Sequence, residues 1–213
     1  MNAAEIASLL CSRLCHDLMS PVGALNNGIE LLADEHDPDM RAKCMELLAE
    51  SARTSANKLK FFRLAFGAAG GFGEAIDTGE ARSALEGLFG SDGRTEIGWM
   101  VSGGKLPKGA AKLLLNLALI GGDALVRGGR LDVGAEQGPD GIEIAIRAEG
   151  PRVVLDAGVK AMLLDGASEA IEPRTAGAWL AHTLAAEAGG SIQLSQDETV
   201  LIIGAQLPLL ALR

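Results

Sequence analysis

From Ile6 to Leu32 an apolar residue recurs every three or four positions, at Ile6, Leu10, Leu14, Leu18, Val22, Leu25, Ile29 and Leu32. That spacing describes one helix with one buried stripe. The stripe keeps its phase across Pro21, which predicts a single long, bent helix over 3–32 rather than two short ones. Proline has no amide hydrogen, so Pro21 leaves the carbonyl of Asp17 without its helical partner, a distortion that costs about 3 kcal/mol in a helix interior. After the polar turn Asp34-Glu35-His36-Asp37-Pro38 a second apolar series follows, at Met40, Cys44, Leu48, Ala52, Leu59, Phe62 and Phe66. Asp37 is placed to cap that helix, with Pro38 at its first position, and His36 reads as a solvent-facing turn residue. Two such helices joined by a short turn form an antiparallel hairpin. Their apolar surface needs a cover. A second copy, giving a homodimeric four-helix bundle, is the economical one, and the rest of the same chain is the competing one.

Gly67, Gly70, Gly71 and Gly73 break the pattern, which divides the chain into a helical unit over 1–70 and a mixed unit over 71–213. In the second unit the spacing predicts helices over 80–89, 107–126, 157–164 and 176–188. Strands are predicted over 94–101, 130–135 and 142–146, and a terminal hairpin over 191–196 and 199–207. The fold class is therefore α+β: a helical hairpin followed by an α/β sandwich with helices on one side of a mostly antiparallel sheet. Hydrophobic residues make up 48% of the 213 residues but aromatics only 3%, with no tyrosine, so the core must be built from Leu, Ala, Val and Ile.

A formal charge of −9 disfavours a nucleic-acid partner. Cys11, Cys15 and Cys44 are an odd set without metal-ligand spacing, as expected of a reducing compartment. No signal-like start and no charge-free run of about 18 residues is present. The expectation is a cytoplasmic protein with no membrane association.

His16 lies two residues from both Leu14 and Leu18, so it points away from the apolar stripe. Around it on the outward side stand Ser12, Arg13, Ser20, Gly23 and Asn27, mostly short groups that leave an imidazole open to a large partner. A neutral imidazole so placed can act as a nucleophile toward a phosphoryl group. Arg13, one turn earlier, could steady phosphoryl oxygens. Arg53, Lys58, Lys60 and Arg63 form a basic cluster on the second helix that suits an acidic partner surface. Met19 adds an apolar anchor, with Leu18 and Val22 shared between that surface and the hairpin core. His182, set among Leu180, Leu184 and Ala185, reads as structural.

The run His16-Asp17-Leu18-Met19-Ser20-Pro21, with Asn26 and Asn27 beyond it, resembles the phospho-acceptor box of sensor histidine kinases. The longer stretch over 10–30 is similar to that of alphaproteobacterial histidine phosphotransferases. The resemblance implies that the second unit is a degenerate version of the kinase ATP-binding domain. Asn116 matches the first asparagine of the family's Asn-x-x-x-Asn element, but Ile120 stands at the second. Around Gly150-Pro151, Ala148 replaces the adenine-binding aspartate and Arg152 the second glycine, and the glycine-rich lid is reduced to Pro173-Arg174-Thr175-Ala176-Gly177-Ala178. Isoleucine cannot ligate Mg²⁺, which demands oxygen, and alanine leaves an adenine amino group unpaired. Arg152 and Trp179 add bulk where a nucleotide needs close backbone approach.

The resemblance thus implies a phosphotransferase without ATP chemistry. His16 would take a phosphoryl group from the phosphoaspartate of a receiver domain, as on a hybrid histidine kinase, and pass it to an aspartate of a response regulator. Asp17 would orient the ring. No cofactor of its own is implied, since the receivers bring the Mg²⁺. Two alternatives stand beside this reading, a noncatalytic dimeric adaptor for receiver domains and an ATP-dependent histidine kinase.

Overall fold

A computed structural model describes residues 3–67, 75–90, 93–167 and 172–208. Two long helices open the chain, α1 (Ala3–Asp34) and α2 (Pro38–Ala65), and α1 is continuous through Pro21. The Asp37 carboxylate caps α2, accepting from the amides of Asp39 and Met40 at 2.9 Å each, with Pro38 in the first turn. The turn is closed from the other side by Arg41, whose Nη1 donates to the carbonyls of Leu32 at 3.1 Å and Glu35 at 2.7 Å. Terminal carbonyls of α1 thereby gain a cationic partner at the negative end of its dipole. At Gly28 the helices come so close that a Cβ would stand 2.8 Å from Cδ2 of Leu48, a separation only glycine permits without repacking.

The boundary at 70/71 falls outside the described residues. The remaining chain forms β1 (Ala75–Asp77), α3 (Thr78–Phe89), β2 (Thr95–Val101), β3 (Lys105–Pro107), α4 (Lys108–Ala124), β4 (Gly129–Gly138) and β5 (Gly141–Glu149). It ends with α5 (Ala157–Asp165), a 3-10 turn at Pro173–Thr175, α6 (Ala176–Glu187), β6 (Ser191–Gln196) and β7 (Val200–Pro208). Five strands make one sheet in the order β2-β4-β5-β7-β6, and β1 pairs with β3 in a separate ribbon. Only the β2–β4 pairing in the main sheet is parallel. Alternation explains the layers: Leu131 and Val133 of β4, Ile142, Ile144, Ile146 and Ala148 of β5, and Leu201, Ile203 and Ala205 of β7 are buried. The helices α4, α5 and α6 pack on the sheet, while ion pairs of Arg130 with Glu96 and Asp132, and of Arg147 with Glu149, occupy the exposed side chains between. The fold is α+β, a helical hairpin followed by an α/β sandwich. No helix among the described residues is long and apolar enough to cross a membrane.

The hairpin does not stand apart from the sandwich. Phe61, Phe62, Leu64 and Ala65 of α2 are buried in the same core as α4 and the sheet. Polar ties run alongside: Asn57 Nδ2 donates to the Gly87 carbonyl at 3.0 Å, and Asn116 Nδ2 to the Ala65 carbonyl at 3.1 Å. On the other helix, α1 packs against the 3-10 turn and α6, and Leu14 lies against the core.

This docking corrects the single buried stripe expected on α1. Leu14, Leu18, Leu25 and Leu32 are partly covered, but Val22 is 51% exposed and Ile29 60% exposed. On α2, Met40 and Leu59 are likewise exposed. One neighbouring helix covers only a sector of a helix surface, and the flank that carries Val22 and Ile29 lies beyond it.

Candidate functional site

His16 sits midway along α1 with its side chain 80% exposed, and its Nδ1 lies 3.1 Å from Oδ1 of Asp17. Helical periodicity brings Met19, Ser20, Gly23 and Asn27 onto the same face. Met19, Ser20 and Asn27 are exposed, and no atom stands within 4 Å of a Cβ built on Gly23. The imidazole therefore rises from a low, open surface, as its sequence phase requires.

The two oxygens of Asp17 have separate partners. Oδ1 faces His16, while Oδ2 accepts from Arg13 Nε at 2.7 Å. Arg13 in turn sends Nη2 to Oδ2 of Asp123 at 2.8 Å, a residue 110 positions away in the last turn of α4. Asp17 is only 17% and Arg13 only 15% exposed, so these two charges are held largely out of water, whereas the Asp123 side chain is 45% exposed. Burial by itself disfavours the charged guanidinium, but the attraction of Asp123 and the hydrogen bonds to both carboxylates overcome it, so the Arg13 pKa lies above the ordinary arginine value. Arg13 thus directs Nε and one Nη2 hydrogen to carboxylates of the chain, two of the five N–H donors of a guanidinium.

Pro21 explains the position of Lys58. The Asp17 carbonyl, left without an amide partner by the proline, accepts from Lys58 Nζ at 2.7 Å. A cation from α2 thereby fills the notch in α1, one residue from His16. Lys60 and Arg63 turn instead to α3, donating to Ser83 Oγ at 2.9 Å and Glu80 Oε1 at 2.7 Å. Of the basic cluster expected as a docking surface, three members are therefore bonded within the chain, and Arg53 stays exposed. His36 is exposed in the turn. His182 meets the Leu163 carbonyl at 3.1 Å through Nδ1, which fits a structural residue.

Of the positions matched to nucleotide-binding elements, Asn116, Ile120 and Ala148 are buried, while Arg152 and Arg174 are exposed. Asn116 is fully buried, its Nδ2 bonded to the carbonyls of Ala65 and Lys112. Ile120 and Ala148 are buried hydrocarbon. Between α4, α5 and α6 lies a cavity of about 160 Å³ bordered by Arg13, Ile120, Asp123 and Arg174, well below the roughly 300–1,000 Å³ of ordinary ligand pockets. These residues do not fit a Mg²⁺–nucleotide complex of the kinase type.

Asp123 is the residue that sequence reasoning missed. Its signal was present but faint: a carboxylate in the last turn of an apolar helix opposes the helix dipole and calls for a cation.

Residues 78–200 match the family model of the histidine phosphotransferase C-terminal domain. The chain belongs to the histidine phosphotransferase family. Protein phosphotransferase ChpT of Brucella abortus (strain 2308) is 47% identical over 136 residues, covering 64% of this chain and 63% of that protein. The match therefore spans less than two thirds of that relative. The solved structure of a bacterial phosphotransferase, 35% identical, superimposes with a TM-score of 0.85 over 96% of this chain and 97% of the other. An Acinetobacter baumannii histidine kinase, AdeS, aligns at 12% identity and a TM-score of 0.48 over 91% of this chain and 98% of that one.

Proposed function

We propose that this protein is a cytoplasmic phosphorelay carrier that moves a phosphoryl group between receiver domains through His16. The observation that carries the reading is the pairing of an open imidazole with a fixed carboxylate. Because Asp17 engages Nδ1, the ring holds its proton there and presents the Nε2 lone pair outward. In the first step Nε2 attacks the phosphorus of a receiver's phosphoaspartate, the Nε2–P bond forms, and the acyl P–O bond breaks to release the donor carboxylate. The ring becomes cationic, and its Nδ1–H remains hydrogen-bonded to Asp17. In the second step an acceptor carboxylate attacks the same phosphorus and restores the neutral ring.

Donor and acceptor are receiver domains, the first on a hybrid histidine kinase and the second on a response regulator. Met19, Ser20, Gly23 and Asn27 form the docking face beside His16, and Arg53 adds charge complementary to an acidic receiver. The chain uses no cofactor of its own, and the receivers supply Mg²⁺. The exposed flank of Val22 and Ile29 supports pairing of two hairpins in a homodimer, since contiguous apolar surface of this kind favours association. Membership of the phosphotransferase family favours this reading over a passive adaptor.

Incubation with a receiver domain charged by radiolabelled acetyl phosphate tests it. Wild-type protein is expected to acquire acid-labile label, and His16→Ala to acquire none. Undiminished label on His16→Ala protein would overturn the assignment.

A further inference from the structure

We propose that Asp123 is a positioning residue for phosphotransfer: through Arg13 it keeps one oxygen of Asp17 seated against Nδ1 of His16. The inference rests on His16 being the phospho-acceptor.

The geometry is a chain of four side chains in which the two oxygens of Asp17 have separate partners. His16 Nδ1 meets Asp17 Oδ1 at 3.1 Å, Arg13 Nε meets Asp17 Oδ2 at 2.7 Å, and Arg13 Nη2 meets Asp123 Oδ2 at 2.8 Å. A guanidinium is a rigid fork that readily takes both oxygens of a single carboxylate. Here the fork is divided between two carboxylates, and that division leaves Oδ1 of Asp17 for the histidine. With Asp123 uncharged, Arg13 is free to swing onto Asp17 and grip both of its oxygens. His16 then loses the acceptor that fixes its proton on Nδ1.

Asp123 is suited to hold such a fork still. It belongs to α4, most of whose residues are buried in the core of the sandwich, whereas α1 carries His16 on an exposed face. The buried helix thus supplies the anchor and the open helix the reactive group. An acid at that site meets the negative end of its own helix dipole, and the Arg13 cation offsets this.

The test uses full-length protein, with phosphoramidate as a partner-independent phosphoryl donor to histidine, and ¹⁵N NMR of the imidazoles at a pH where they are neutral. Subtraction of the His16→Ala spectrum isolates His16. Wild-type His16 is expected to populate mainly the Nδ1–H tautomer. Asp123→Asn is expected to shift it toward Nε2–H and to slow labelling by about threefold to tenfold, less than the roughly 10⁴-fold loss known when a directly orienting aspartate becomes asparagine. Asp123→Glu should restore much of the rate. In an Asp17→Asn background the Asp123→Asn change should have no further effect, because the residue it acts through is gone. Arg13→Gln gives a second break in the same chain should Asp123→Asn perturb folding by circular dichroism, and it should reproduce the tautomer shift. Wild-type labelling and tautomer in Asp123→Asn overturn the proposal, as does a slowing of equal size with and without Asp17. Label that persists on His16→Ala protein removes the acceptor assignment and the proposal with it, whereas label lost there but unchanged in Asp123→Asn removes the proposal alone.

Discussion

The helices α1 and α4 are both long and rich in leucine and alanine, yet they end in opposite situations. Thirteen of the 17 residues of α4 are buried, from Ala110 to Ala124, and its partners all come from the same chain. Among the described side chains of α1 only Pro21 and Gly28 are buried positions, and Met19, Val22, Ile29 and Leu31 are exposed large apolar residues. The core helix is saturated by its own fold, while the site helix keeps exposed apolar surface on the C-terminal side of His16. The exposed helix is held by its packing on α2, α6 and the 3-10 turn, and it is tied to α4 through the Arg13–Asp123 pair.

The contrast is sharpest at the end of α2, which belongs structurally to the sandwich. Phe61→Ala is expected to cost about 3–5 kcal/mol in chemical denaturation, as for a fully buried aromatic, even though Phe61 lies in the hairpin by sequence. A change near zero would show that the hairpin is energetically independent. Ile29→Asp should barely move the unfolding of an isolated chain, within about 0.5 kcal/mol, but should shift the light-scattering mass from about twice 22.0 kDa toward 22.0 kDa. A mass unaffected by the substitution would break the link between exposure and self-association.

Next in size is the notch at Pro21. Lys58→Met removes the donor to a carbonyl that has no other partner in the helix, and a loss of about 1–2 kcal/mol is expected. Restoring an amide with Pro21→Ala should make the Lys58→Met change cheaper, and a thermodynamic cycle that shows strict additivity would refute the connection. Asp37→Ala at the α2 cap is expected to cost about 1 kcal/mol. The smallest effect belongs to Asp197, whose carboxylate accepts from the amides of Thr199 and Val200 and from the Thr199 hydroxyl, which holds its pKa below the ordinary value. Its contribution is therefore present above the unfolded-state pKa and fades as pH falls through the lower folded one. The difference in Tm between wild type and Asp197→Ala should narrow below about pH 4, and a difference independent of pH would contradict the assignment.

The hairpin was legible because its signals are local. Periodicity gave α1 and α2, and the Asp37-Pro38 pair gave the turn. Alternation in β4, β5 and β7 was equally plain. By contrast β1 and β3, three residues each, have no period to detect and exist through pairing with one another. The exposure of His16 followed from helical phase, and its pairing with Asp17 from the resemblance of the motif. The rest of the site did not, because Arg13 looks like any arginine near a histidine until Asp123 is brought beside it. Period also says which side of α1 is apolar without saying how wide a sector its neighbours in the same chain cover, and so the exposure of Val22 and Ile29 in the single chain was not legible.

The distance in sequence between Arg13 and Asp123 also sets a clock. At ribosomal rates of about 5–20 residues per second, roughly 5–20 s separate the emergence of the two residues. In that interval the local contacts of α1 and α2 can form, since helix pairing is far faster, but the end of α2 has no core to enter and the guanidinium has one carboxylate instead of two. A nascent chain therefore displays His16 and Asp17 before the structure that orders them exists. The His16–Asp17 pair is completed only with the fold of the second half, so an interrupted chain carries the motif without its supporting frame.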